Sequence, residues 1–321
     1  MICIFTTGGI RYDAAGFFMY SFSTCWNSGR HTDGRAMLRE IRELGFEYAE
    51  LSHGIRISLL PGIFEAVKAG EVKISTCHNF CPLPVGVEKP APNLYEFSSD
   101  RESDRRLALK HTLNTFDFAV TVGAPLVVLH FGSMDLKDYT SKLKELLERG
   151  EKGSPKFLKV VAEANAAREA KKKKFYDRSR EMLRELFGEA KFRGLKLGIE
   201  IREAVEELPV ESDFAALLKE FPAPVFYWHD VGHAQIKQDL GFIDHAQFLA
   251  ERADRLAGFH IHDVKFPARD HFPPGGGDID FAALAPFVKP EHIKVFELSP
   301  KVPLDSVTRS IAHLKRIWGR E

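Results

Sequence analysis

Short runs of apolar, β-branched and aromatic residues alternate along this 321-residue chain with longer stretches whose apolar positions recur at helical spacing. The runs predict strands at 17–23, 47–52, 72–78, 125–131, 195–201, 225–230, 257–263 and 293–299. Helical patterns fill 33–44, 57–69, 101–122, pieces of 136–190, 211–220, 243–254, 280–287 and 304–318. Gly45, Gly70, Gly123 and Gly194 each follow a helical pattern and precede a strand, where a left-handed cap residue ends a helix. Eight strands alternating with eight helices predict an α/β chain closed into a (β/α)8 TIM barrel. A doubly wound open sheet has the same rhythm, but no GxGxxG follows an early strand. The stretch 136–190 is too long for one crossover helix and predicts a charged helical insertion between strands 4 and 5. Residues 1–16 read as an N-terminal arm, which leaves 17–321 for the barrel.

Composition narrows the partners. Lys and Arg total 45, as do Asp and Glu, so no field of one sign is available to hold nucleic acid or an anionic membrane. The Lys171–Lys174 block lies between acidic residues in a helical stretch and reads as a solvated face. Four cysteines are too few for a disulfide framework, which points to reduced thiols and a cytoplasmic setting. No apolar run approaches the roughly 20 residues of a membrane span, and the first residues lack the basic region of a signal peptide. A homo-oligomer is compatible with all of this.

Chemistry concentrates at the strand ends. In a parallel barrel the C-terminal strand ends meet on one face, where active sites are built. From the third strand to the eighth they carry His78, His130, Glu200, Asp230 with His233, His260 with His262, and Glu297. Asp, Glu and His are costly in buried strands without a partner, and a divalent cation is a partner common to all six. Within YWHDVGHAQ (227–235), Asp230 and His233 read either as two ligands or as a turn. The set Glu200, Asp230, His260 and Glu297 is rich in oxygen and favours Mn²⁺, with Mg²⁺ or Co²⁺ as alternatives. Further imidazoles from His78, His130, His233 and His271 suit Zn²⁺ and more than one ion.

The succession GIE (198–200), HDVGHA (229–234), HIHD (260–263), His-x3-GxGDIDF from His271 to Phe281 and VFE (295–297) resembles the xylose isomerase-like barrel superfamily. That superfamily includes sugar isomerases and epimerases, inosose dehydratases and endonuclease IV enzymes. The resemblance implies one divalent metal held by Glu200, Asp230, His260 and Glu297, with the first histidine of HIHD as the ligand. It implies that His233 contacts substrate, or a second metal where one exists, and that His78 and His130 bind substrate in single-metal members or extra zinc ions in the nucleases. His262, Arg269, His271 and Trp26 complete the expected substrate contacts, and Asp263 is the expected partner of a ligand imidazole. Gly276 stands where the superfamily commonly has an acidic residue.

The implied chemistry is isomerisation or epimerisation of a small sugar or sugar derivative. The metal acts as a Lewis acid toward an enediolate, while Glu200 and Glu297 exchange the proton. A lyase acting on a keto-sugar or inosose would use the same site and then expel a leaving group. An endonuclease IV-like zinc nuclease shares much of the ligand set, but Arg269 replaces its loop aspartate and Asp270 is displaced by one position. A non-catalytic sugar-binding barrel is disfavoured by the intact Glu200 and Glu297.

Overall fold

The computed structural model describes residues 19–319, and the expected arm at 1–16 lies outside the described residues. The strands are β1 Tyr20–Ser23, β2 Tyr48–Leu51, β3 Lys73–His78, β4 Leu126–Leu129, β5 Lys196–Glu200, β6 Val225–Asp230, β7 Leu256–Ile261, β8 Asp263–Lys265, β9 Arg269–Phe272 and β10 Ile293–Phe296. Strands β1 to β7 and β10 close a barrel of parallel neighbours in chain order, with β10 beside β1. The short antiparallel pair β8–β9 is inserted after β7 and is not expected from the sequence pattern.

The helices are α1 Gly34–Glu43, α2 Leu60–Lys68, α3 Glu102–Val122, α4 Tyr139–Glu148, α5 Pro155–Arg193, α6 Phe214–Glu220, α7 Val231–Asp239, α8 His245–Ala250, α9 Phe281–Leu284 and α10 Leu304–Trp318. Their ends follow local chemistry. Asp33 accepts from the Ala36 amide at the start of α1, and Ser154 from that of Phe157 ahead of Pro155 in α5. Gly123 and Gly194, at φ of 74° and 70°, take the left-handed cap conformation that ends α3 and α5.

The stretch between β4 and β5 differs from the expected series of short helices. After α4, the 39-residue α5 runs unbroken to Arg193 and is itself the crossover helix. No Pro follows Pro155 within α5, whose interior is rich in Ala, Lys, Glu and Arg, all strong helix formers. At 1.5 Å per residue it is about 58 Å long. Its middle is tied to the segment after β5: Arg168 to Glu211 at 2.5 Å and Lys172 to Asp213 at 2.9 Å. Lys152, just before α5, reaches Asp239 at the end of α7. Of the basic block, Lys171, Lys173 and Lys174 are exposed, as a solvated face requires, while Lys172 is half-buried and paired with Asp213.

Alternation along the strands builds a floor under the face formed by the C-terminal strand ends. Glu200, Asp230, His260 and Glu297 point inward, so Gly198, Trp228, Gly258 and Val295 point inward two residues below them. Trp228 fills this level with Leu126, Val128, Ile293 and Val295, in an apolar cluster separate from the main core. A Cβ on Gly258 would lie 2.6 Å from the Trp228 ring, and one on Gly198 would lie 3.2 Å from it. The two glycines make room for one large side chain. The main core lies between the strands and the surrounding helices.

On the outer side of β6, Tyr227 Oη lies 2.6 Å from His229 Nδ1, and His229 Nε2 lies 2.9 Å from His245 Nε2 on α8. Two Nε2 atoms at that distance share one proton, so the pair demands a neutral imidazole on the accepting side. Burial holds His245 down to about 4. An unfolded His245 binds a proton from its ordinary value of 6.5 downward, whereas the folded ring resists until about 4, so stability falls as pH drops through that window. We expect acidification from neutral pH to about 4.5 to cost on the order of 2 kcal/mol through this ring. Urea unfolding across that range should show a flatter dependence in His245→Gln, which keeps a hydrogen-bonding group that does not titrate.

Candidate active site

The strand ends bring Glu200, Asp230, His260 and Glu297 together, each buried and offering a ligand atom within 4.8 Å of the others. His260 is the hub. Its Nδ1 lies 2.6 Å from Glu200 Oε1, 3.2 Å from Glu297 Oε2 and 3.8 Å from Asp230 Oδ2. Its ring meets Trp228 edge-on at 5.1 Å and stacks against His78 at 5.5 Å and 8°.

Electrostatics keep Glu200 and Asp230 ionised against the cost of burial. Burial opposes the charge on Glu200, but Arg202, His260 and His130 hold it well below the usual carboxylate range. Burial also opposes the charge on Asp230, which His233 and His262 hold down. For His260 burial disfavours the proton, yet Glu297, Glu50 and Glu200 raise it well above the ordinary imidazole range. Three carboxylates and one imidazole converging on one point suit an oxygen-preferring divalent cation, which would supply the positive charge this buried group lacks.

Asp230 serves two ends. Its Oδ1 caps α7 by accepting from the His233 amide at 2.7 Å, so HDVGHAQ is both a helix start and part of the ligand group. His262 Nε2 approaches Asp230 at 3.0 Å, and His233 Nδ1 lies 3.3 Å from it. These three form a second potential metal-binding group, and a third joins His78 and Glu200 with His260. His262 Nδ1 accepts from the His271 amide at 3.0 Å, and the two rings stack at 4.2 Å. His271 adopts φ of 55°, a left-handed conformation uncommon for a side-chain-bearing residue.

Other expected site residues are placed differently. Trp26 is buried in packing, with its indole N–H donating to Val302 O at 2.9 Å and its ring against Phe22 at 5.5 Å. Arg269 is exposed at the start of β9, opposite Lys265 across the hairpin. Asp263 does not orient a ligand imidazole. It accepts from the amides of Val264, Gly275, Gly277 and Ile279 at 2.9–3.1 Å and so holds the glycine loop. A Cβ on Gly277 would lie 2.5 Å from Asp263 Oδ1, which is why a glycine stands there.

Four residues of the site do not stand out in the sequence pattern. Glu50 on β2 lies 3.0 Å from His260 Nε2. His53 follows β2, meets His78 edge-on at 4.9 Å and has a buried Nδ1 without a hydrogen-bond partner among the described residues. Arg202 reaches Glu200 at 3.0 Å and Glu207 at 3.1 Å, and Glu207, despite burial, is lowered to about 2 by Arg202. A signal for Glu50 exists: an acid between Ala49 and Leu51 in an apolar strand. Extending the strand-end pattern back to β2 reaches it and His53.

Residues 38–317 match the family model described as xylose isomerase-like TIM barrel. The chain belongs to that family. No curated protein matches it. Among solved structures of the same fold is a D-tagatose 3-epimerase-like protein, 17% identical, with TM-score 0.66 over 94% of this chain and 97% of that one. A 3-keto-D-glucoside 4-epimerase from E. coli is also 17% identical, with TM-score 0.65 over 93% and 99%. A D-psicose 3-epimerase with D-tagatose from Clostridium cellulolyticum H10 is 13% identical, with TM-score 0.61 over 94% and 100%. In this xylose isomerase-like barrel, no described helix is long and apolar enough to cross a membrane.

The role of Asp263 makes a local prediction. Asp263→Ala should raise amide hydrogen exchange at Gly275, Gly277 and Ile279 by about tenfold or more, with overall stability lower by about 2 kcal/mol. Protection in β5 and β6 should fall by no more than the loss of overall stability, so that the extra exchange is confined to the loop.

Proposed function

We propose that this protein is a divalent-metal-dependent isomerase or epimerase of a sugar or sugar derivative. The observation that carries the reading is the buried group of Glu200, Asp230, His260 and Glu297 on the catalytic face of the barrel. The sugar class is supported by the sugar epimerases among the structures that share the fold, and Mn²⁺ is favoured by the oxygen-rich donors. A cation bound by these four residues would supply Lewis acidity toward a substrate carbonyl and its neighbouring hydroxyl.

The remaining chemistry belongs to the side chains. Glu200 and Glu297 stand on β5 and just after β10, three strands apart around the barrel, and reach a central substrate from different sides. One removes a carbon-bound proton and the other returns one, as acid–base exchange requires. Glu200 is surrounded by His260, His130 and Arg202 at 2.6, 2.9 and 3.0 Å, which holds its carboxylate in place. Among the described residues Glu297 carries one ion-pair contact, to His260, and is the freer of the two to turn toward substrate. His78, His130 and His233 supply hydrogen-bonding groups to sugar hydroxyls. A lyase would begin at the same proton abstraction and differ in expelling a leaving group.

The Asp230–His233–His262 group favours one second reading, a multi-zinc nuclease. Against it stand a neutral chain and Arg269, exposed on β9 where the nuclease pattern has an acid.

Metal analysis of purified protein, followed by solvent deuterium incorporation into ketoses, inososes and 3-keto sugars, tests the proposal. We expect about one ion per chain and exchange without net elimination. Glu297→Gln should lower exchange about 10³-fold while leaving the thermal unfolding profile intact. Full exchange in Glu297→Gln removes the proposed base, and incision of abasic DNA by a protein holding several zinc ions replaces the sugar reading with the nuclease.

A further inference from the structure

Glu50 has no role in the proton exchange just described, yet it is fully buried beside the centre of the site. It lies one residue before the end of β2, where the pairing with β3 shifts register between Ala49 and Glu50. Ala49 and Leu51 pack into the main core, so Glu50 points into the barrel. Its Oε2 accepts from Thr76 Oγ1 at 2.8 Å and lies 3.0 Å from His260 Nε2, on the opposite edge of that ring from Glu200, Asp230 and Glu297. Its Oε1 has no hydrogen-bond partner among the described residues.

An imidazole ligand offers one nitrogen to a cation and keeps its proton on the other. A carboxylate accepts hydrogen bonds and donates none, so with a cation occupying the Nδ1 side, where Glu200 lies, Glu50 beside Nε2 selects the tautomer with the proton facing it. His78, stacked parallel on His260 at 5.5 Å, limits tilt of the ring, and Glu50 limits its rotation within the plane. We infer that Glu50 is a positioning residue that keeps the His260 proton on Nε2 and turns Nδ1 toward the carboxylates of Glu200, Asp230 and Glu297. The inference rests on the metal-dependent reading above. It assigns to β2, a strand without a proposed ligand, a part in the affinity of the site, and it gives Glu50 the task that Asp263 does not perform.

The test reads metal binding and the imidazole tautomer in place of turnover. Metal-free wild type, E50A, E50Q and E50D are titrated with Mn²⁺ by calorimetry. Long-range ¹H–¹⁵N spectra of the Zn²⁺-loaded proteins report the His260 tautomer, assigned by the signal missing from His260→Gln. Loss of an outer partner of a metal-binding histidine typically costs about 10–100-fold in affinity, and that range is expected for E50A. E50Q, whose amide oxygen still accepts from Nε2–H, should recover most of the affinity and keep the Nε2–H signal. E50D, which keeps the charge but draws the oxygen back, should fall near E50A. Wild-type affinity with an unchanged tautomer in E50A overturns the inference, and so does a loss in E50Q equal to that in E50A. Should E50A fail to fold, E50D takes its place, and wild-type binding by E50D then overturns the inference. A wild type that takes up no divalent ion overturns this inference together with the metal-dependent reading, whereas metal uptake unaffected by Glu50 removes the inference alone.

Discussion

Ionised carboxylates are expensive to bury, and this barrel buries Glu50, Glu200, Asp230 and Glu297 around the single imidazole of His260. Much of the surrounding structure is arranged to make that arrangement tolerable. Arg202 brings a cation to Glu200, His262 faces Asp230, and Asp230 also gains the His233 amide at the start of α7. Glu207 in turn anchors Arg202. These contacts satisfy individual oxygens without cancelling the negative charge at the centre. A divalent cation suits the remainder, and the same negative charge that favours the ion places two carboxylates beside any substrate it would polarise.

Such a group needs a rigid base. The alternating inward residues provide one, with Trp228 accommodated by Gly198 and Gly258 directly beneath the functional level. Its ring meets His260 from below, and His78 stacks on His260 from β3, so the hub is packed on more than one side. The loops above are held by polar anchors. Asp263 gathers the amides of the glycine loop, and His271 is fixed over His262 by a backbone hydrogen bond and ring stacking. Functional side chains therefore sit on strand ends between an apolar floor and a pinned loop, the arrangement that holds a site to tight geometry.

Much of this is legible along the chain because it is local. Parallel strands buried on both faces show as short apolar runs, and glycine caps mark where helices stop. Polar residues that interrupt such runs at their ends are conspicuous, which is why Glu200, Asp230, His260 and Glu297 stand out. Glu50 is equally polar and equally buried, but it lies inside its run and its partner is 210 residues away. Asp263 misleads for a related reason: proximity to HIH suggests an imidazole partner, whereas its oxygens are committed to amides up to sixteen residues later. Helix α5 is divided in expectation because a 39-residue crossover helix is far longer than usual. Its stability against the segment after β5 depends on pairs such as Arg168–Glu211, which local propensity does not reveal.

By itself the sequence determined the barrel, its strand order and the residue types available at the catalytic face, because these follow from periodicity and from the burial cost of isolated charges. Only the tertiary structure decided which of those residues share one centre. The convergence of Glu200, Asp230 and Glu297 on His260, and the entry of Glu50, His53 and Arg202, depend on strand register and side-chain direction across the closed sheet. The physical reason is that coordination and ion pairing act over a few ångströms in space. In this fold those few ångströms join residues from strands on opposite sides of a ring.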